Sequence, residues 1–245
     1  MTMLIALLLI LATPTSAPTG VPTYRCIATT RPVTIDGKLD DAAWAAAAWT
    51  DDFVNILGQD HPAPPLRTRA KLMWDPKYLY VAAELRETDV RGEMKRRDDP
   101  LYRENAFELF LDPDDDGQNY LELQINPLGT IFDIVMTRPY KERGRKREYT
   151  VDGLKSAVRV EGTLNDPSDR DRAWMIELAI PWAAIKELAP KTITPKAGAR
   201  MRVNLARTHH PRAGGNEGVF TWSPQGEMNL HAPKRWGYLD FSSSK

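Results

Sequence analysis

Ala106-Phe107-Glu108-Leu109-Phe110-Leu111 and Tyr120-Leu121-Glu122-Leu123-Gln124-Ile125 decide the fold of this chain. In the first stretch Phe107, Leu109 and Leu111 share one face while Glu108 and Phe110 share the other. In the second, Leu121, Leu123 and Ile125 stand opposite Glu122 and Gln124. Strict alternation marks a strand, because successive side chains of a pleated backbone point to opposite faces. The pattern predicts two half-buried strands joined through the acidic turn Asp112-Pro113-Asp114-Asp115-Asp116-Gly117.

Short apolar runs bounded by turn residues continue on both sides. Upstream, Arg67 to Trp74 and Tyr78 to Glu84 flank Asp75-Pro76-Lys77, where proline presets the turn and the aspartate can bond the local backbone, so a hairpin is predicted. Further strands are expected at Ile131 to Thr137, Leu154 to Val160, Ala173 to Ile180, Met201 to Thr208, Val219 to Trp222 and Trp236 to Phe241. Helical signals are few. Leu39 to Ala48 carries an alanine run preceded by capping carboxylates between Asp36 and Asp41, and a second short helix starts at Pro181 and runs to Leu188. Residues 18–23 read as a Pro- and Thr-rich leader, and Arg138 to Tyr149 as an exposed, charged loop or hairpin tip. Many short strands and little helix describe an all-β domain.

Residues 1–17 hold an unbroken apolar stretch from Met3 to Ala12 and end in Thr15-Ser16-Ala17, the pattern of a secretory signal peptide. The expected location is therefore secreted or periplasmic. The apolar stretch falls below the roughly 20 residues that cross a bilayer, so no transmembrane segment is expected. Residues 18–245 are then one domain, a size ordinary for a single β-sandwich or barrel. With 33 basic and 33 acidic residues the net charge is zero, which argues against nucleic acid as a partner. The single cysteine, Cys26, allows no internal disulfide and reads as a small core residue.

Several segments together resemble the family 9 carbohydrate-binding modules. They are Ile35-Asp36-Gly37-Lys38-Leu39-Asp40-Asp41-Ala42-Ala43-Trp44, Lys71 to Asp75 with Tyr78 to Val81, Glu104 to Pro113, Tyr120 to Thr130, Trp174 to Trp182, and Thr221 to Pro224 with Pro233, Trp236 and Gly237. The resemblance covers nearly the whole chain after residue 17 and implies a two-sheet antiparallel β-sandwich, jelly-roll-like, with one or two short helices. It also implies a non-catalytic module that binds an oligo- or polysaccharide and assists glycan degradation or uptake. In such modules two aromatic rings hold a sugar at a chain end. The matching positions here are Tyr102 and Leu230, and an aliphatic side chain cannot stack as a ring does. The polar members fall on Glu108 and Gln124, with Asn229 and His231 beside Leu230 able to add donors, acceptors and a flat ring.

Asp112, Asp114 and Asp116 place oxygen ligands at alternate positions before Gly117, the opening of a calcium-loop pattern, whereas the closing glutamate is replaced by Leu123. Two readings stand side by side: a solvated acidic loop, and a structural calcium site of the kind the resembled family includes. The four histidines lack the short paired spacing of a zinc site. Competing functions remain open as well. Leu230 favours an interaction domain that has lost its sugar site, Glu108 with Glu122 suggests a glycoside hydrolase pair, and methionine with histidine would serve haem.

Overall fold

The computed structural model describes residues 20–189, 196–212, 214 and 217–244. The predicted signal peptide lies outside the described residues. Among the described residues thirteen strands and two short α-helices follow one another: β1 (Thr23–Ala28), α1 (Ala42–Ala46), β2 (Val54–Asn55), β3 (Thr68–Trp74), β4 (Tyr78–Arg86), β5 (Ala106–Asp112), β6 (Tyr120–Ile125), β7 (Ile131–Met136), β8 (Lys146–Glu148), β9 (Lys155–Glu161), β10 (Ala173–Pro181), α2 (Trp182–Leu188), β11 (Arg200–His209), β12 (Gly218–Thr221) and β13 (Gly237–Ser242). No helix among the described residues is long and apolar enough to cross a membrane.

The strands form one hydrogen-bonded path, β8-β7-β6-β5-β11-β13-β1-β3-β4-β10-β9, with β12 and β2 attached beside β11. The path curls on itself. One core cluster collects Leu109 and Leu123 from its first half and Val81 and Ile176 from its second. The predicted hairpin at Asp75 is present: its Oδ1 accepts the amides of Lys77 and Tyr78, both at 2.7 Å, and its Oδ2 accepts the hydroxyl of Tyr80. Trp44, Trp174, Trp182, Trp222 and Trp236 are buried, as is Cys26.

Three sequence expectations are corrected. The residues taken as a leader run into β1, which pairs parallel with β13 and β3, so the sheet is not wholly antiparallel. Side-chain alternation reports faces and not strand direction, which left this pairing invisible. The first helix is only Ala42–Ala46, and Asp41 makes no side-chain cap. Its Oδ2 instead accepts the amide of Thr34 at 2.6 Å, and the chain turns extended at Ala47 to reach Ala70, whose carbonyl accepts the Thr50 amide. The charged segment 138–149, read as an exposed loop or hairpin tip, is an exposed hairpin tip whose return strand β8 pairs with β7.

The third correction bears on function. Both β5 and β6 are buried on both faces. Their second face carries a separate apolar cluster of Phe110, Tyr120, Phe132 and Ile134, roofed by Leu101, Trp236 and the partly buried Met94 and Leu230. Segments far apart in the chain supply that roof, so alternation alone read the face as solvent-facing.

Candidate functional site

The outer face of β5, β6 and β7 is the floor of a cleft of about 720 Å³, with loops from both sides as its walls. Register brings the floor together. Glu108 lies opposite Gln124, and Phe110 opposite Glu122, which in turn lies opposite Ile134. Four residues expected at a site, Tyr102, Glu108, Asn229 and His231, line this one cleft, as does Leu230. Gln124 does not reach the opening. Fully buried, it donates from Nε2 to Glu108 Oε2 at 3.2 Å and to Glu122 Oε1 at 2.6 Å.

The two carboxyl groups sit where charge is poorly solvated. Burial, reinforced by the charge of Glu122, pushes the Glu108 carboxyl well above the usual carboxylate range. Burial raises Glu122 to about 7, opposed by the Gln124 bond and the nearby Lys146 ammonium. Glu108 Oε1 and Gln124 Oε1 are buried with no hydrogen-bond partner among the described residues. An unmet polar atom in a water-poor place costs free energy until a donor or acceptor reaches it. Ligand hydroxyl groups would meet that need.

On the wall, His231 Nδ1 and the Tyr120 hydroxyl are 2.9 Å apart, and burial lowers the histidine to about 4, so its ring is neutral near pH 7. Asn229 Oδ1 accepts the His231 amide at 3.0 Å and shapes the turn that presents that ring. Trp236 Nε1 donates to the Leu230 carbonyl at 2.8 Å, holding the same segment against the floor.

Among the lining residues that sequence reasoning did not place at a site, three stand out. Tyr140, 51% exposed, comes from the segment read as a solvated loop, and with Tyr102, 46% exposed, gives the cleft two accessible aromatic rings. Lys146 comes from that segment also, and Met228 stands on the rim. Nothing in the local pattern around Tyr140 announces it, because the β7–β8 turn alone brings it over the floor. An exposed tyrosine within a charged stretch was its sole signal.

Asp112, Asp114 and Asp116 converge at the far end of β5, with one carboxylate oxygen of each within 4.8 Å of the others. Asp112 is fully buried; its Oδ2 accepts the Gly117 amide at 2.9 Å, while its Oδ1 has no hydrogen-bond partner among the described residues. Burial, with the neighbouring charges of Asp114, Asp116 and Asp115, raises it to about 7. An orphaned buried carboxylate oxygen beside two further carboxylates, all hard oxygen donors, fits a calcium ion.

A family model described as carbohydrate family 9 binding domain-like matches residues 35–243. The chain belongs to this family. Among its relatives, exoglucanase XynX of Acetivibrio thermocellus is 28% identical over 188 residues, which is 77% of this chain and 14% of the relative. Endo-1,4-beta-xylanase A of Thermoanaerobacterium saccharolyticum is 27% identical over 188 residues, 77% of this chain and 13% of that enzyme. The chain thus spans about one seventh of the length of these relatives. Two solved structures share the fold at 15% identity. A putative carbohydrate-binding protein from Bacteroides uniformis aligns with a TM-score of 0.71 over 91% of this chain and 100% of its own. A family 9 module from Caldicellulosiruptor kristjanssonii, in complex with cellotriose, aligns with a TM-score of 0.62 over 91% of this chain and 95% of its own.

Proposed function

We propose that this protein is an exported, non-catalytic carbohydrate-binding module that assists glycan degradation or uptake. Residues 18–245 act as one domain whose two sheet halves form a sandwich. The observation that carries the reading is the pair of exposed rings, Tyr102 and Tyr140, standing in one cleft with the buried carboxyl of Glu108 and its unpartnered oxygen. Aromatic faces cover the apolar C–H face of a pyranose, and acceptors and donors on the floor satisfy its hydroxyls. Tyr140 takes up the stacking role for which Leu230 is unsuited, which removes the main motive for an interaction domain without a sugar site. Cello- and xylo-oligosaccharides are the first ligands to try, since the relatives are an exoglucanase and a xylanase and a similar module holds cellotriose.

Catalysis is disfavoured by the placement of the carboxyl groups. A glycosidase pair needs the scissile bond between its carboxyls. The Gln124 amide occupies that place between Glu108 and Glu122. Calcium held by Asp112, Asp114 and Asp116 orders the β5–β6 turn and takes no part in chemistry. Calorimetric titration with a neutral glycan panel tests the function: saturable binding that weakens in Glu108→Ala supports it, and silence of the folded protein across mono-, oligo- and polysaccharides overturns it.

A further inference from the structure

The cleft does not end at Tyr140. A second cavity of about 420 Å³ continues it over the outer face of β7 and β8, and the two share Asp98, Phe132, Ile134 and Lys146. Register makes the continuation direct, because Glu122 lies opposite Ile134 and Ile134 opposite Glu148. Glu148 is thus on the same face as the buried carboxyl, two strands further out.

The walls of this extension are preformed. Asp98 sits in the left-handed region at φ 65°, its amide donating to the Ile131 carbonyl at 3.0 Å and its Oδ1 accepting the Asp133 amide at 3.4 Å. Beneath it, buried Asp133 receives both Arg97, at 2.5 and 2.6 Å, and the amide of Val151, at 2.7 Å, and so ties the two loops on either side together. Tyr149 is half-buried and pinned by its hydroxyl to the Ala184 carbonyl at 2.9 Å. Groups held in place before binding spare a ligand the entropy of ordering them.

We propose that this extension is a second sugar subsite, and that the ligand is a neutral oligosaccharide lying across both cavities. The inference rests on the carbohydrate reading and goes beyond capture of a single terminal sugar. Tyr149 and Phe132 supply apolar and aromatic contact, while Asp98, Glu148 and Thr150 supply acceptors for hydroxyl donors. Among the described residues neither Glu148 nor Lys146 is held in an ion pair. With Asp133 matched by Arg97, the two remaining carboxylates, Asp98 and Glu148, outweigh the single Lys146 ammonium, repel an anionic sugar and accept from a neutral one.

The test is a calorimetric ladder on the intact protein with glucose, cellobiose, cellotriose and cellotetraose, and with the matching xylo-oligosaccharides, for the wild type and a Glu148→Ala/Thr150→Ala double variant. Both substituted side chains are exposed, so folding is preserved. The expected result is affinity rising about tenfold or more from mono- to trisaccharide, with the double variant keeping the monosaccharide affinity and losing most of the rise. A flat ladder, or a rise that survives the double substitution, overturns the second subsite alone. Silence of the wild type toward every length overturns it together with the carbohydrate reading.

Discussion

The ring of Tyr140 meets that of His231 edge-on, with centroids 4.6 Å apart and planes at 75°. This contact props a half-exposed side chain from the β7–β8 turn over a floor built by β5 and β6. A tyrosine so placed keeps a face for ligand at little further entropic cost.

Tyr140→Ala is therefore expected to weaken sugar binding by about 0.5–1.5 kcal/mol, roughly two- to thirteenfold, with unfolding shifted by no more than about 0.5 kcal/mol. Tyr140→Phe, which keeps the ring, restores most of the affinity. Titration and thermal melts on the three proteins check this. An alanine variant that binds like the wild type removes Tyr140 from the site.

Stability should fall as pH rises across the range set by Glu122. Its carboxyl titrates near 4.5 when unfolded and about 7 when folded, because burial disfavours the anion. The folded state thus holds the proton more tightly, and the stabilisation present below pH 4.5 is lost as pH climbs through about 7. The loss is on the order of 3 kcal/mol. Glu122→Gln keeps an acceptor for Gln124 and abolishes this part of the slope. Urea unfolding at pH 5 and pH 8 should show the variant gaining on the wild type at the higher pH, and parallel slopes would count against a buried Glu122 titration.

Calcium binding should depend on pH through Asp112. Without an ion that carboxyl is neutral up to about pH 7, and a bound cation requires its anion. Apparent calcium affinity is expected to rise about tenfold per pH unit below that value and to level off above it. Calcium should raise the melting temperature and a chelator should reverse the rise. Asp112→Asn should abolish both responses, and a melting temperature indifferent to calcium at pH 8 would argue for a solvated acidic turn.

A different kind of test concerns Arg207, only 1% exposed, whose guanidinium donates to Glu87 Oε2 at 2.6 Å and to the Arg86 carbonyl at 2.8 Å. Glu87→Ala leaves that charge buried without its counter-ion and is expected to cost about 3–5 kcal/mol. Replacing both partners by Leu and Met should recover a good part of the loss. Chemical denaturation of the single and double variants decides between this and a pair of little consequence.

Strand positions were legible because the apolar alternation of β5, β6 and β11 survives in the linear sequence, as does the Asp75 turn, whose bonds are local. Tyr102, Glu108, Asn229 and His231 lie in one cleft; Glu108 sits within a motif that resembles the family, and the other three were placed by position beside such motifs. The roles of Gln124 and Tyr140 depended on what stands across from them. Gln124 was expected at the ligand, and its bonds to Glu108 across the strand pair and to Glu122 on its own strand hold it buried in the cleft floor. Tyr140 lay in a stretch whose charge reads as solvent, and only the pairing of β8 with β7 folds that stretch back over the floor.

Period-two alternation and turn chemistry are carried by near neighbours, so the sequence by itself determined an all-β chain, most of its strands and the acidic turn after β5. Which faces are buried is set by segments far apart in the chain. The parallel seating of β1 between β13 and β3, the roof of Leu101 and Trp236 over Phe110, and the gathering of Tyr102, Tyr140 and Glu108 in one cleft were therefore decided by the tertiary structure.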